Sequence, residues 1–150
     1  MADYFLRLVP EDPAFVPPES AQTLACEALR AALPRAEEVT VRVTETMRFV
    51  DPGANLERIL CPACAKDLDR AWWQGHMDHA ATREFHNLRV TTPCCNTATS
   101  LDRLDYEWPA GFARFVLEAS NPNVSELPGQ QMRALGRMLG CRLRQIWARY

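Results

Sequence analysis

The pattern of hydrophobic and polar positions predicts a strand, a helix and a strand at the start of the chain. In VTVRVT, residues 39–44, valines alternate with polar residues, and this period of two is typical of a strand with one buried face. Residues 4–9, YFLRLV, are a second strand candidate, rich in aromatic and branched residues. Between them, apolar residues recur at helical spacing from Ser20 to Leu33, and Pro34 ends the predicted helix.

The end of the chain repeats this order. Residues 112–119, FARFVLEA, predict a strand, and residues 130–139 predict a helix with Gly140 as its C-terminal cap. Residues 141–150 can form a final strand or continue the helix, because their apolar positions also keep helical spacing. We favour the strand, since glycine is a natural helix stop and the two ends then match.

Two strand–helix–strand halves pack naturally as one antiparallel sheet with both helices on one face. The sequence therefore predicts an α+β fold in which two βαβ halves form a ferredoxin-like sandwich. We expect residues 1–150 to form a single domain, a length that allows one hydrophobic core and a small satellite module. The cysteine-rich segment 51–108 then lies between the halves as an insertion.

The stretch CPAC, residues 61–64, is a strong metal-binding pattern. Two thiolates separated by two residues, one of them proline, form a tight turn that places both sulfurs on one metal ion. The position after such a turn usually carries glycine, because it favours a positive φ, and here it carries Ala65.

The adjacent cysteines Cys94 and Cys95 require a different geometry. Neighbouring side chains on a regular strand point to opposite faces, so both can bind one metal only from a turn. Pro93 and Asn96 are turn residues, and the flanking LRVTT and TATSL predict a hairpin with the cysteines at its tip. The predicted metal ligands of this zinc-ribbon-like insertion are Cys61, Cys64, Cys94 and Cys95.

Three alternatives stay open for these cysteines. Cys61 and Cys64 can form a redox pair, although this leaves the second pair unexplained. Cys94 and Cys95 can form a vicinal disulfide, which is rare. A histidine can replace one cysteine, and the histidines between the two pairs are His76, His79 and His86.

We expect the metal to be structural zinc. A catalytic zinc keeps one coordination position open for water or substrate, and four thiolates leave none. The deaminase signature is not met, because HMD at 76–78 has the wrong acid and PCC lacks the spacer between its cysteines. The remaining cysteines, Cys26 and Cys141, lie in apolar patterns and are predicted to be small core residues. No P-loop, GxGxxG or GxSxG motif is present, and we predict no catalytic residue.

Composition places these cysteines in a reducing compartment. With 47% hydrophobic and 24% charged residues, the chain has the composition of an ordinary soluble globular protein. MADYFLRLVPEDP does not resemble a signal peptide, because acid and proline follow only a few apolar residues. No apolar run approaches the roughly 20 residues that span a bilayer. We expect a cytoplasmic protein without membrane association. In the reducing cytoplasm, paired cysteines bind metal more often than they form disulfides.

Charge is distributed unevenly along the chain. The first 126 residues contain twelve basic and nineteen acidic residues, a net charge of −7, and the last 24 carry +5. A basic end of this kind can bind nucleic acid, or it can be a solvated helix and strand whose arginines pair with acids elsewhere. The arginines concerned are Arg133, Arg137, Arg142, Arg144 and Arg149.

An acidic, aromatic edge is the predicted partner surface. Trp72 and Trp73 are neighbours on a helix predicted over 69–81, so one can face the core and the other is hard to bury. The segment LDRLDYEWPAGF adds aromatic residues among acids, a combination that suits a basic protein partner better than nucleic acid. The alternative is that these rings fill a small core where the insertion docks on the sheet. The predicted surface residues are Trp73, Asp102, Asp105, Tyr106, Glu107 and Trp108.

The run from Phe49 to the end, with ILCPAC, WW, TPCCNTATSLDRLDYEWPAGFARF and LGCRLRQIWARY, resembles a set of small bacterial proteins of unknown function with a CPxCG–TPCC zinc-ribbon-like pattern. The chain departs from the pattern at Ala65 and Asn96, where glycine is more usual, but it keeps all four cysteines. The resemblance implies a zinc site and no particular activity. Proteins of this size and style also occur as immunity proteins in bacterial conflict loci.

From these observations we expect a non-enzymatic, cytoplasmic, zinc-stabilised protein that acts by binding a protein partner, in an immunity or adaptor-like role. The alternative is a nucleic-acid-associated zinc-ribbon module that uses the arginine-rich C terminus. An enzyme is the third hypothesis. It requires an open metal position or a perturbed acid–base pair, and the sequence contains neither.

Overall fold

The computed structural model describes residues 2–150 and shows an α+β protein with three α-helices, an antiparallel four-stranded sheet and two small two-stranded sheets. The strands are β1 (Tyr4–Pro10), β2 (Glu38–Val50), β3 (Arg58–Leu60), β4 (Arg89–Thr91), β5 (Ala98–Ser100), β6 (Asp105–Glu107), β7 (Gly111–Ser120) and β8 (Leu143–Arg149). The helices are α1 (Glu19–Ala32), α2 (Arg70–Ala81) and α3 (Gly129–Leu139).

The large sheet has the strand order β2-β7-β1-β8, and all neighbouring strands are antiparallel. Each end of the chain contributes a strand–helix–strand unit, β1-α1-β2 and β7-α3-β8, as the periodicity predicts. In each unit a strand of the other unit lies between the two strands, so the two halves interlock. We call the large sheet with α1 and α3 the body.

Both helices of the body cover the same face of the large sheet. One core joins Leu29 of α1, Leu135 and Leu139 of α3, and Phe115 and Leu117 of β7. Burying a side chain of this size stabilises the fold by about 1.5–3 kcal/mol. The body therefore has a substantial core of its own.

The helix boundaries follow local sequence signals. Gly140 caps α3 in the left-handed conformation, with φ 80°, and its N–H donates to the carbonyl oxygen of Gly136 at 2.8 Å. The residues after this cap form β8, which confirms the predicted final strand. The helices have 14, 12 and 11 residues, and within residues 2–150 no helix is both long and apolar enough to cross a membrane.

Strand β2 is much longer than the strand predicted at 39–44. Its register with β7 shifts at residues 43–48, where five steps along β2 accompany two along β7. Beyond the shift, the pairing of β2 with β7 continues as far as Val50 and Gly111. Residues from all four strands form a small apolar patch there, made of Val9, Val50, Ala113 and Ile146. Glu45 interrupts the alternation by placing an acid at an apolar position, so the predicted strand ends at Thr44.

The segment 51–108, which we call the cysteine module, contains α2, the β3–β6 pair and the β4–β5 hairpin. Its four strands have three residues each. A second core fills the module and continues past the predicted boundary, because Phe112 of β7 belongs to it and Phe49 of β2 packs against it. These two phenylalanines dock the module on the body.

Candidate metal centre

The four predicted ligands lie in two turns that face each other. Cys61 and Cys64 belong to the turn that follows β3, and Cys94 and Cys95 belong to the turn between β4 and β5. Their Sγ atoms all lie within 4.8 Å of one another. The cluster could therefore hold a metal ion such as zinc, with four sulfur ligands.

The first turn is closed by two backbone hydrogen bonds. The N–H of Cys61 donates to the carbonyl oxygen of Lys66 at 2.9 Å, and the N–H of Ala65 donates to the carbonyl oxygen of Cys61 at 2.9 Å. Ala65 has φ 61°, in the left-handed region expected for the residue after such a turn. For a residue with a Cβ atom this conformation costs about 1 kcal/mol relative to glycine.

The second turn has the same backbone hydrogen bonds. The N–H of Thr92 donates to the carbonyl oxygen of Thr97 at 3.0 Å, and the N–H of Asn96 donates to the carbonyl oxygen of Thr92 at 2.9 Å. Asn96 has φ 53°, matching the left-handed residue of the first turn. Residues 92–97 therefore correspond to residues 61–66 position by position.

This correspondence explains the adjacent cysteines. Thr92 occupies the position of Cys61, and Cys95 occupies the position of Cys64. The second turn thus lacks the first cysteine of the pattern and gains one at its third position, Cys94. The relation can be read in the sequence by aligning CPACAK with TPCCNT.

The distances between the sulfurs fit one tetrahedral ion. The Sγ atoms of Cys61 and Cys95 are 3.7 Å apart, those of Cys64 and Cys94 are 3.3 Å apart, and those of Cys94 and Cys95 are 3.9 Å apart. A tetrahedron with metal–sulfur bonds of about 2.3 Å has edges of about 3.8 Å. All six cysteines are free, so the vicinal disulfide considered from the sequence is not formed.

Two threonine hydroxyls contact the Cys95 sulfur, and sequence reasoning missed both. Thr92 Oγ1 lies 3.4 Å and Thr97 Oγ1 3.0 Å from Cys95 Sγ. Thr92 is fully buried, and its Oγ1 also accepts the N–H of Thr97 at 3.1 Å. Hydrogen bonds from Thr92 and then Thr97 lower the pKa of Cys95, because they favour its thiolate. The alignment of the two turns is the signal that would have found Thr92.

The pKa values of Cys94 and Cys61 are shifted in opposite directions. Burial, followed by the neighbouring thiols of Cys64 and Cys61, raises the pKa of Cys94 to about 12. Burial opposes ionisation of Cys61 as well, but hydrogen bonds from the backbone N–H groups of Cys64 and Ala63 lower its pKa to about 6. Thiolates this close repel each other, so a divalent cation is the group that would allow all four to ionise together.

The remaining cysteines and the histidines lie elsewhere. Within residues 2–150 the cluster of metal-ligating groups contains no histidine. His76 lies against Trp72, with ring centroids 4.7 Å apart and the ring planes tilted by 55°. Cys26 is buried in the body core, and Cys141 packs against the same core, as the apolar patterns predict.

Two of the predicted partner-surface residues are buried. Trp73 is 5% exposed and Tyr106 is 6% exposed. The indole N–H of Trp73 donates to Tyr106 Oη at 3.0 Å, and the Tyr106 hydroxyl donates to the carbonyl oxygen of Leu101 at 2.7 Å. Phe49 lies against both rings, with centroid distances of 5.7 and 6.2 Å. Placing these two residues on a surface was wrong, because the module needs large rings to fill its core.

The other predicted surface residues are closer to solvent. Trp108 is 46% exposed and lines a groove of about 560 Å³ at the end of the body. Asp105 is exposed, and Glu107 Oε2 lies 3.8 Å from Arg58 Nη1. Asp102 is half-buried and lines a different groove, next to the β4–β5 hairpin.

The C-terminal arginines are divided among three places. One groove of about 640 Å³ at the end of α3 is lined by Arg133, Arg137 and Arg142. Arg144 donates from Nη2 to the carbonyl oxygen of Ala110 at 3.1 Å. Arg149 lies near the other end of β8, with its guanidinium 5.9 Å from the centroid of the Tyr4 ring. Three of the five thus share one basic groove.

No family model matches this chain, nor does any curated protein or solved structure. Its function is therefore inferred from the geometry of the chain itself.

Proposed function

We propose that the protein is a non-enzymatic binding protein whose cysteine module is held by structural zinc and whose partner is a protein. The observation that carries the proposal is the exposed Trp108, which lies in the groove at the end of the body beside two other aromatic residues, Tyr4 and Trp147. An immunity or adaptor-like role and a cytoplasmic location belong to the same proposal.

The donor set supports a structural role for the metal. Four thiolates in tetrahedral geometry are typical of zinc, or of iron bound by sulfur. They leave no open position for water or substrate, which hydrolytic catalysis by zinc requires. The ligands also join β3 and the β4–β5 hairpin, two elements that are far too short to be stable alone.

Two finer assignments of the fold accompany the proposal. The strand order β2-β7-β1-β8 with both helices on one face is the arrangement of a ferredoxin-like sandwich. Each of the two matching turns contributes two cysteines to one cluster, which is the arrangement of ligands in a zinc ribbon. We assign the body and the cysteine module to these two classes.

The groove around Trp108 leaves apolar surface uncovered. Tyr4 is 46% exposed and Val124 is 42% exposed, and both line the groove together with the half-buried Trp147. Aromatic residues are enriched in the centres of protein interfaces, and contiguous exposed apolar patches mark such sites. A peptide segment with apolar side chains would bury these rings.

Charge at the groove favours a basic partner segment. Within the described part of the chain, the residues lining the groove carry no charge of either sign, so the carboxylates beside it set the local charge. The Asn121 amide donates to Glu37 at 2.7 Å and to Asp3 at 3.2 Å, which places two carboxylates beside the groove. Among residues 2–150, Arg149 is the one guanidinium found against a lining ring, that of Tyr4. Electrostatic complementarity of this kind selects partners and speeds association.

Nucleic-acid binding is the second candidate function. The observation in its favour is the groove lined by Arg133, Arg137 and Arg142, where only Glu11 supplies opposite charge to the lining. If the protein binds nucleic acid through phosphate contacts, its affinity will fall steeply as salt is raised. Binding of a protein partner by burial of the aromatic rings at Trp108 would persist at the same salt concentration.

The test is affinity capture from an extract of native cells, with and without nuclease, using the wild type, Trp108→Ala and Met138→Ala. Met138 is exposed on α3 and is the matched control for loss of exposed apolar surface. We expect a stoichiometric protein that survives nuclease and moderate salt, is retained by Met138→Ala and is lost by Trp108→Ala. A partner that disappears with nuclease, or that Trp108→Ala retains fully, would contradict the proposal.

A further inference from the structure

The sheet face opposite α1 and α3 contains a cavity that neither the metal centre nor the Trp108 groove uses. Its volume is about 240 Å³, and its lining includes residues on both sides of the register shift between β2 and β7. The side chains that line it include four arginines from three strands: Arg7, Arg42, Arg48 and Arg114.

Arg7 is held rigidly at the inner wall. Its Nε lies 2.8 Å from Glu118 Oε1, and its Nη1 donates to the carbonyl oxygen of Asp51 at 2.9 Å. Its guanidinium also lies 5.1 Å from the ring centroid of Phe5 and 5.5 Å from that of Tyr150. A guanidinium fixed on several sides loses little further freedom when it binds a ligand.

The other three arginines have no carboxylate partner among the described residues. Arg114 uses only its Nε, which donates to the carbonyl oxygen of Thr44 at 3.0 Å. Arg42 and Arg48 are exposed at the rim. Asp51 is the one acid in the lining, and its Oδ1 already accepts a backbone N–H at 2.9 Å.

The local charge is therefore strongly positive. Four guanidinium groups stand against the two carboxylates of Asp51 and Glu118, which leaves a net charge of +2 around a concave space. Concave walls concentrate such a field and attract anions. Guanidinium groups bind phosphate through paired hydrogen bonds, in a geometry that lysine cannot match.

We propose that this cavity binds the phosphate group of a small phosphorylated molecule. Pockets for whole small-molecule ligands have volumes of about 300–1,000 Å³, and this cavity is smaller. The enclosed part of the ligand is thus a phosphate group with a few attached atoms. This site is independent of the proposed protein partner.

The test is calorimetric titration of the full-length, zinc-loaded protein with inorganic phosphate and with pyrophosphate, at constant ionic strength. The variant Arg42→Gln/Arg48→Gln removes two charges from the cavity. The matched control Arg133→Gln/Arg137→Gln removes the same charge from the α3 groove. Loss of two charge-assisted contacts should weaken pyrophosphate binding by roughly tenfold or more in the first variant. The control should bind within about twofold of the wild type.

Three results would overturn the proposal. One is the lack of saturable binding of either anion to the wild type. Another is an equal loss in both double variants, which would mean a general charge effect. The third is tight binding of a single-stranded oligonucleotide without binding of phosphate or pyrophosphate. A check that needs no variant is the melting temperature of the wild type, which pyrophosphate should raise above its value in sodium chloride of equal ionic strength.

Discussion

In the body, strands of seven to thirteen residues pair into one sheet, and leucines of two helices pack on one face of it, against Phe115 and Leu117 of β7. In the cysteine module, four strands of three residues form two separate pairs, and one helix covers a second core that includes Trp73 and Tyr106. Isolated two-stranded pairs of this length are marginal in water. We expect burial of apolar side chains to be enough to keep the body folded. The module also needs a cross-link between its short strand pairs, which backbone hydrogen bonds do not provide.

The sharpest break between the two regions is expected on removing the metal with a chelator. Structural zinc sites supply an apparent binding free energy of about 10–16 kcal/mol, and the metal is the cross-link between β3 and the β4–β5 hairpin, whose strands are too short to be stable alone. Hydrogen exchange should show lost protection in β3, β4, β5 and β6, with β1 and β7 still protected. Adding zinc back should restore the module. Retained protection in the module after complete zinc loss would show that its core suffices alone.

Removing one cysteine ligand should show the difference in stability between the module and the body almost as clearly. Cys95→Ser replaces a thiolate at the cluster, whereas Cys141→Ser alters a half-buried cysteine beside the body core. We expect Cys95→Ser to lose most of its zinc and to loosen residues 51–108, because a metal site closed by three thiolates is weaker and open to water. Zinc content by elemental analysis and thermal unfolding measure both effects.

The control should keep one zinc per chain and a melting temperature close to that of the wild type. If Cys95→Ser also keeps full zinc and an unchanged melting temperature, the ligand set is wrong.

The core of the module can be weakened without touching the metal. Tyr106→Phe removes a hydroxyl that accepts from Trp73 and donates to the carbonyl oxygen of Leu101, leaving two buried polar groups unpaired. This should lower the free energy of unfolding by about 1–3 kcal/mol. Tyr4→Phe, at a half-exposed ring, should change it by less than about 0.5 kcal/mol. Urea denaturation measures both, and equal effects would mean that the buried network contributes nothing specific.

The smallest predicted effect concerns the first turn. Ala65 is left-handed, so Ala65→Gly should raise the stability of the module by about 1 kcal/mol. Ala63→Gly changes the same turn at a position without positive φ and should be neutral or destabilising. Zinc affinity in competition with a chelator reports both changes. A loss of zinc affinity in Ala65→Gly would contradict the claim that the left-handed conformation of Ala65 is strained.

The order of elements in the body could be predicted because its signals are local. Val39, Val41 and Val43 alternate with polar residues, and Gly140 ends a periodic helix, so each element had its own pattern. The extension of β2 to Val50 could not be predicted, because Glu45 interrupts the alternation and the residues beyond it pair with β7 only through a shifted register. Long-range pairing decided that part of the fold.

In the candidate site, too, some features could be predicted from local sequence and others could not. The clustering of four cysteines follows from their spacing, and the structure brings their sulfurs together. The burial of Trp73 and Tyr106 does not follow, since helical position alone cannot say which of two adjacent indoles faces a core. Predicting the contact of Thr92 with Cys95 would have required an alignment of the two turns. That alignment is easy to overlook, because the turns have only six residues each and few of them are identical.

X-ray absorption at the zinc edge of the purified wild-type protein tests the central claim most directly. Four sulfur ligands at about 2.3 Å, with no lighter ligand, are the predicted result for a closed structural site. Three sulfurs with one oxygen or nitrogen ligand would contradict it, because an open coordination position would return hydrolytic chemistry to this module.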